Sequence, residues 1–340
     1  MTELDLEEAK LRYTFSDAPG LQRKRWGRGF TYLDQNGRTI KDTKRRQWIE
    51  KLAIPPAWED VWISPYKNGH ILATGRDSEG RKQYIYHSGW HALRKETKFS
   101  ELVAFSKLLP SIRETTDSHL RKRKLSRKKA LALVVRLLEK TMIRVGNLEY
   151  TRNYDSYGLT TLEDDHVEIN GSKLVFEFTG KSGQEHEIAL NDSRLARAVQ
   201  ACQDILGQRL FQYYDDEGER RSISSSDVND YLYRMTGEAI TAKVFRTWGA
   251  SVLALHYLTH LPDEVSSAKP EKQIQACVKA VAGVLGNTVA ICRQYYIHPA
   301  VFKAHREGKL LTRFEAQSRP ESQYALTREE AALVDLIQNF

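Results

Sequence analysis

LALVVRLLEKTMIRVG at residues 131–146 and HVEINGSKLVFEFTGKSGQEHEIAL at residues 166–190 together decide the fold. In the first, Leu131, Val134, Val135, Leu138 and Met142 follow the i, i+3, i+4, i+7, i+11 spacing of a buried helix face, with Gly146 as its terminator. In the second the period falls to two. An Asn170-Gly171 turn precedes alternating Leu174, Phe176 and Phe178, a turn at Gly180–Gly183 follows, and His186–Leu190 forms a third strand. Helical patterns resume around 193–206, 227–237, 241–259 and 271–285, and Thr327 with Glu330 makes a capping box for a last helix. From about residue 98 the chain therefore reads as mainly helical, with a short three-stranded element inserted.

Upstream, residues 20–97 read as β-rich. Phe30–Leu33 runs into Asn36-Gly37, Val61–Ile63 precedes Asn68-Gly69, and His70–Thr74 turns at Asp77–Gly80 into Arg81–His87. Asp42 caps a short helix over Thr43–Leu52 that ends before Pro55-Pro56. The expected class is α+β, with a small N-terminal antiparallel sheet domain over residues 1–97 and a larger, mainly α-helical domain over residues 98–340.

Composition narrows the function. The 340 residues hold 52 Lys+Arg against 44 Asp+Glu, a formal charge of +8. Residues 1–97 carry 18 basic and 13 acidic side chains, and seven of the nine residues Arg121–Lys129 are basic. Such concentrations point toward nucleic-acid binding, although either patch could be a solvated face. No stretch approaches the ~20 apolar residues of a membrane span. Cys202, Cys277 and Cys292 lack metal-ligand spacing and fit a reducing compartment, and Met1–Lys10 is acidic rather than signal-like. A cytoplasmic protein is expected.

Four residues stand at awkward places. Arg144 closes an apolar helix face, Lys181 occupies a hairpin tip, Arg246 interrupts an apolar helical pattern, and Tyr296 lies nine residues after Asn287. Taken singly, each has an ordinary structural explanation: a helix C-terminal cation, a solvated turn, a paired core arginine, a half-buried aromatic. Their order along the chain is what links them. Asp164-Asp165 and Asp215-Asp216 read as solvated turns, and His256 with His260 has no evident third ligand, so no metal and no cofactor is expected. There is also no G-x-x-x-x-G-K-[ST] nucleotide loop.

The chain resembles the type IB DNA topoisomerases of the bacterial and poxvirus-type branch. The resemblance rests on Gly20–Arg25 with Gly29–Tyr32, Ile54–Trp58, and Ala73–Asp77 with Gly80–Tyr86 in the small domain. In the large domain it rests on Ile143–Asn147, Phe178–Lys181, Lys243–Gly249 and Gly286–Tyr296. It implies Tyr296 as nucleophile, Arg144 and Arg246 as catalytic arginines, Lys181 as general acid, and Asn287 where the family usually has histidine. Asn keeps a neutral donor there but cannot become cationic. Tyr295 is a competing nucleophile that the interval from Asn287 disfavours.

The resemblance further implies double-stranded DNA as partner, contacted by Gln83, Tyr84, Tyr86 and Arg94 of a clamp-forming N-terminal domain and by Tyr150, Thr161 and Lys243 of the catalytic domain. It implies a nucleoid-associated monomer that relaxes supercoils through a 3′-phosphotyrosyl intermediate, without ATP or metal. Two alternatives stand beside it. A tyrosine recombinase-like strand transferase uses a similar residue set but usually carries His-x-x-Arg where this chain has Lys243-x-x-Arg246. A catalytically inactive DNA-binding clamp would accommodate Asn287.

Overall fold

The structure, a computed structural model, describes residues 10–12, 14, 16, 18–27, 29–78, 82–90, 100–238 and 240–339. The chain divides into two compact units, Met1–Lys98 and Phe99–Phe340. In the first, β1 (Leu21–Trp26), β2 (Gly29–Leu33), β3 (Glu59–Ile63), β4 (Ile71–Arg76) and β5 (Lys82–Tyr86) form an antiparallel sheet in the order β2-β1-β3-β4-β5. The helix Thr43–Lys51 starts where Asp42 accepts the Arg45 N–H at 2.7 Å. Its Ile49 joins Leu21, Tyr32, Val61, Ile63 and Ala73 in a core against which Trp48, Trp58 and Ile85 pack.

Strand β1, LQRKRW, was not legible as a strand because nearly all of it is exposed and it carries no alternation. Its place is fixed by Arg23. That guanidinium donates to the carbonyls of Ile54, Pro55 and Trp58 at 2.6–3.1 Å and lies 4.1 Å over the Phe30 ring. One side chain thus ties the Ile54–Trp58 segment to the first hairpin.

In the second unit the helix Arg127–Thr141 is central. Ala130–Val135, Leu137, Leu138 and Thr141 are all buried, so it is apolar nearly all round rather than on one face. The helices Ser100–Leu120, Ser193–Gln203, Ser225–Thr236 and Lys243–Thr259 surround it. Strands β6 (Val167–Asn170), β7 (Lys173–Gly180) and β8 (Gln184–Asn191) form the expected three-stranded antiparallel element.

Gly146 does not end the central helix. The helix stops at Thr141, where Met142 turns into the left-handed region at φ 55° and its N–H closes on Leu138 O. Non-glycine residues seldom adopt that conformation, so the sequence gives no warning of the stop. Arg144 consequently lies beyond the helix, on an irregular segment. Its carbonyl accepts the Leu159 N–H and the Val145 carbonyl accepts the Thr160 N–H, both at 2.8 Å. Gly146 takes a φ of 95°, and a Cβ on the facing Gly158 would come within 2.6 Å of Arg144 O and 2.7 Å of the Gly146 backbone.

A buried ion network braces this unit. Arg113 donates to Glu139 at 2.7 Å and to Glu330 at 2.6 Å, and the Trp248 indole donates to the same Glu330 oxygen at 3.0 Å. The other Glu330 oxygen accepts the Thr327 N–H at 2.8 Å, completing the expected capping box of the helix Arg328–Asn339. Removing Glu330 takes one of two carboxylates from buried Arg113 and leaves the Trp248 indole without its acceptor. Glu330→Ala is expected to destabilise the protein by about 3–5 kcal/mol, seen as a lower denaturant midpoint at unchanged m. A loss below about 1 kcal/mol would show that water reaches Arg113 instead.

Candidate active site

The site is built where two chain reversals, at Met142 and at Gly286, are tied together by Arg246. The helix Pro270–Leu285 ends on Gly286, whose φ of 57° sends Asn287 back so that its N–H bonds Ala282 O at 3.0 Å. Thr288 then caps the helix Val289–Tyr295, about two turns long, and Tyr296 follows directly. Arg144 Nη2 donates to Asn287 Oδ1 at 2.5 Å. That bond also orients the amide, because the accepting oxygen must face Arg144 and Nδ2 must point away.

Arg246 sits one turn into the helix Lys243–Thr259 and is 5% exposed. Its Nη2 donates to Leu285 O at 2.8 Å and its Nη1 to Met142 O. Each carbonyl lies two residues before another member of the site, Asn287 and Arg144. The guanidinium carbon stands 5.4 Å from the centre of the Tyr296 ring. Burial, and then the charge of Arg144, bring Arg246 down to about 10, while the Tyr296 phenol opposes the shift. It remains a cation at neutral pH.

The Tyr296 backbone is fixed as well. Ser251 Oγ, fully buried, reaches Tyr296 O at 3.2 Å and Thr247 O at 2.9 Å, and accepts the His298 N–H at 2.9 Å. Tyr295 is 44% exposed, whereas Tyr296 packs against the core beside Arg246. Among the described residues, three buried side-chain polar atoms lack a partner, and two of them are here: Arg246 Nε and Asn287 Nδ2. Both are donors. Buried donors are rarely left unpaired, and two together beside a second guanidinium describe a receptor for an anion.

Lys181 stands exposed at the β7–β8 turn, where Ser182 and Gly183 take φ of 66° and 69°. The preceding residue, Gly180, abuts the ring of His186, which also meets Gly286. His186 and Ser251 went unnoticed in the sequence because a lone histidine in a strand and a serine in a helix are unremarkable.

The expected DNA-contact residues fall in different settings. Tyr84 and Tyr86 stack at 5.7 Å on one face of edge strand β5, and Tyr84 is 41% exposed. Gln83 alternates to the opposite side with Ile85 and donates to Asp77 Oδ2 at 2.8 Å. Lys243 is exposed at the start of its helix, and Tyr150 falls within the helix Leu148–Tyr154. Thr161 is buried, its hydroxyl bonded to the Gly158 backbone at 2.9 and 3.0 Å. Arg94 lies outside the described residues. Among the described residues no three His, Cys, Asp or Glu side chains gather into a metal-binding group, and no single helix is long and apolar enough to cross a membrane. His256 and His260 stack at 4.5 Å.

Known proteins similar in sequence point to one family. The family model for the eukaryotic DNA topoisomerase I catalytic core matches residues 87–318, and that for the bacterial DNA topoisomerase IB N-terminal domain matches residues 29–77. The DNA topoisomerase 1B of Acanthamoeba polyphaga mimivirus is 31% identical over 291 residues, covering 82% of this chain and 85% of that protein. The DNA topoisomerase 1B of Vaccinia virus (strain Copenhagen) is 23% identical over 257 residues, covering 75% and 78%. Among solved structures, the XerH site-specific recombinase bound to difH substrate overlaps 65% of this chain and 55% of its own at a TM-score of 0.34 and 13% identity. With one family model spanning most of the chain and a relative above 30% identity across most of both lengths, the chain belongs to the type IB DNA topoisomerases of the bacterial and poxvirus-type branch.

Proposed function

We propose that this chain relaxes supercoiled DNA by cutting and resealing one strand, with the scissile phosphate seated on Arg144, Arg246 and Asn287. The observation that carries the reading is the pair of buried, unpartnered donors, Arg246 Nε and Asn287 Nδ2, beside the Arg144 guanidinium and the Tyr296 ring. A phosphodiester has one negative charge and its pentacovalent transition state nearly two. Fixed, always-charged guanidiniums and a preoriented amide match that increase without reorganising.

In this reading the Tyr296 phenol gives its proton to water and its oxygen attacks phosphorus. The P–O5′ bond breaks, leaving a 3′-phosphotyrosyl link, and Lys181 gives a proton to the departing 5′ oxygen. The covalent link keeps the energy of the broken phosphodiester, so the 5′ hydroxyl can reverse the step without ATP. Between the two steps the free end turns about the intact strand, and torsion in the DNA drives the turning. Residues 1–97 act as a DNA-binding domain, with Tyr84 and Tyr86 toward the bases, and residues 98–340 as the catalytic domain. One set of Arg144, Arg246, Asn287 and Tyr296 is enough to cut one strand, so the protein acts as a monomer. With DNA as substrate, the protein belongs in the cytoplasm with the nucleoid.

Plasmid relaxation tests the proposal. Both negatively and positively supercoiled plasmid are expected to relax fully in EDTA without nucleotide. Binding should weaken steeply with salt, as phosphate neutralisation requires. Relaxation that starts only on adding Mg²⁺ or ATP would overturn it.

A further inference from the structure

We propose that His186 is a positioning residue of the cleavage site, its ring acting as a spacer between the hairpin that carries Lys181 and the turn that carries Asn287. The register of the hairpin places it there. His186 pairs with Phe178 across β7 and β8, and the two rings stack at 5.0 Å with 19° between their planes. That stack presents the far edge of the imidazole to two glycines at once. A Cβ on Gly180 would come within 2.6 Å of His186 Cδ2, and a Cβ on Gly286 within 2.4 Å of its Cε1. Real Cβ atoms do not approach so closely, so both glycines accommodate the ring by lacking a side chain.

Each glycine immediately precedes a residue of the site, Lys181 or Asn287. Lys181 itself is exposed at a turn and needs some fixed reference to be placed to within a few tenths of an ångström. The imidazole supplies it, a rigid body touching both strand end and helix end. Its electrostatic setting agrees. Burial first, then Arg144 and Arg246, hold His186 below its ordinary pKa against the opposing pull of Glu185. The ring is therefore neutral at pH 7 and adds no third fixed charge to the two guanidiniums.

This inference rests on Lys181 as the proton donor to the 5′ oxygen, and the test separates the two claims. Single-turnover cleavage is measured at one mapped site on two duplexes, one natural and one whose bridging 5′ oxygen is sulfur. A thiolate leaves without protonation, so sulfur removes the need for a general acid. His186→Ala is expected to slow cleavage of the natural duplex by about 10–100-fold and of the sulfur duplex by less than about threefold. Equal slowing on both would overturn the inference, as a general loss of structure predicts.

Gly180→Ala offers a second route that does not depend on removing the ring, since its φ is not in the left-handed region and its main obstacle is His186. It should show the same leaving-group signature, and adding His186→Ala should make it faster again by giving the methyl room. Independent, multiplying defects would contradict the spacer. Lys181→Ala is the control. If sulfur fails to rescue Lys181→Ala, the assignment of the general acid falls and the inference with it. If sulfur rescues Lys181→Ala but not His186→Ala, the spacer role alone falls.

Discussion

Tyr296→Phe is expected to fold, to bind duplex DNA with unchanged affinity, and to cleave it at a rate lower by about 10⁶, which is below detection. The substitution removes one oxygen and little else. The ring that lies by Arg246 remains, as does the backbone carbonyl held by Ser251 Oγ, so the surroundings have no reason to move. Tyr295 cannot substitute, because it is exposed on the other side of the helix end while its neighbour packs inward. The check is single-turnover cleavage together with a binding isotherm. Relaxation at even a hundredth of the normal rate would mean that another group attacks the phosphate.

Arg246→Ala is expected to slow cleavage by about 10³–10⁵-fold, the range for an arginine that meets a phosphoryl transition state. Two effects combine. The unpartnered Nε is lost as a donor, and so is the strut from the guanidinium to Met142 O and Leu285 O, which sets Arg144 and Asn287 at their distance. Arg246→Lys keeps a charge but not the fork, so it should still cost about 10²-fold. Its buried ammonium should also lose its proton at a lower pH than the guanidinium does.

The wild-type enzyme has the opposite margin. With Arg246 brought down to about 10, its charge is complete below that pH and is lost as pH rises through it. The arginine therefore imposes no decline in cleavage between pH 6 and 9. A loss of less than tenfold for Arg246→Ala would show that the phosphate sits elsewhere.

Much of the fold was legible because burial writes its period into the chain. The alternation of Leu174, Phe176 and Phe178 gives β7, and the Asn170-Gly171 and Gly180–Gly183 turns give the register that faces His186 to Phe178. The Thr327–Glu330 box marks the last helix for the same local reason. The failures also have physical causes. Strand β1 is set by its neighbours and by Arg23, not by a buried face of its own. The central helix shows one regular apolar stripe in the sequence, yet four helices and two strands pack on it and leave only Lys128 and Lys140 exposed. Its end at Met142 leaves no local signature, since Met142 lies in the left-handed region and its sulfur packs so close to Gly249 that a Cβ there would meet it at 2.6 Å.

The site was legible in part. Arg144, Lys181, Arg246 and Tyr296 are separated by long intervals, and no local pattern says that they meet. Only the family resemblance brought them together in the sequence. What the sequence could not express is the wiring between them: the Arg144–Asn287 bond, the two carbonyls held by Arg246, and Ser251 behind Tyr296. These depend on backbone atoms and on residues whose types are common everywhere.

The most direct test is to trap the intermediate. A duplex ending a few bases beyond the cleavage site loses its short 5′-hydroxyl strand on cutting, so religation has no partner and the covalent protein accumulates. Digestion and mass spectrometry of the product, formed in EDTA without nucleotide, should find the 3′ end of the cut strand on the oxygen of residue 296. Attachment to Tyr295 or any other residue, or through a 5′ end, would contradict the account.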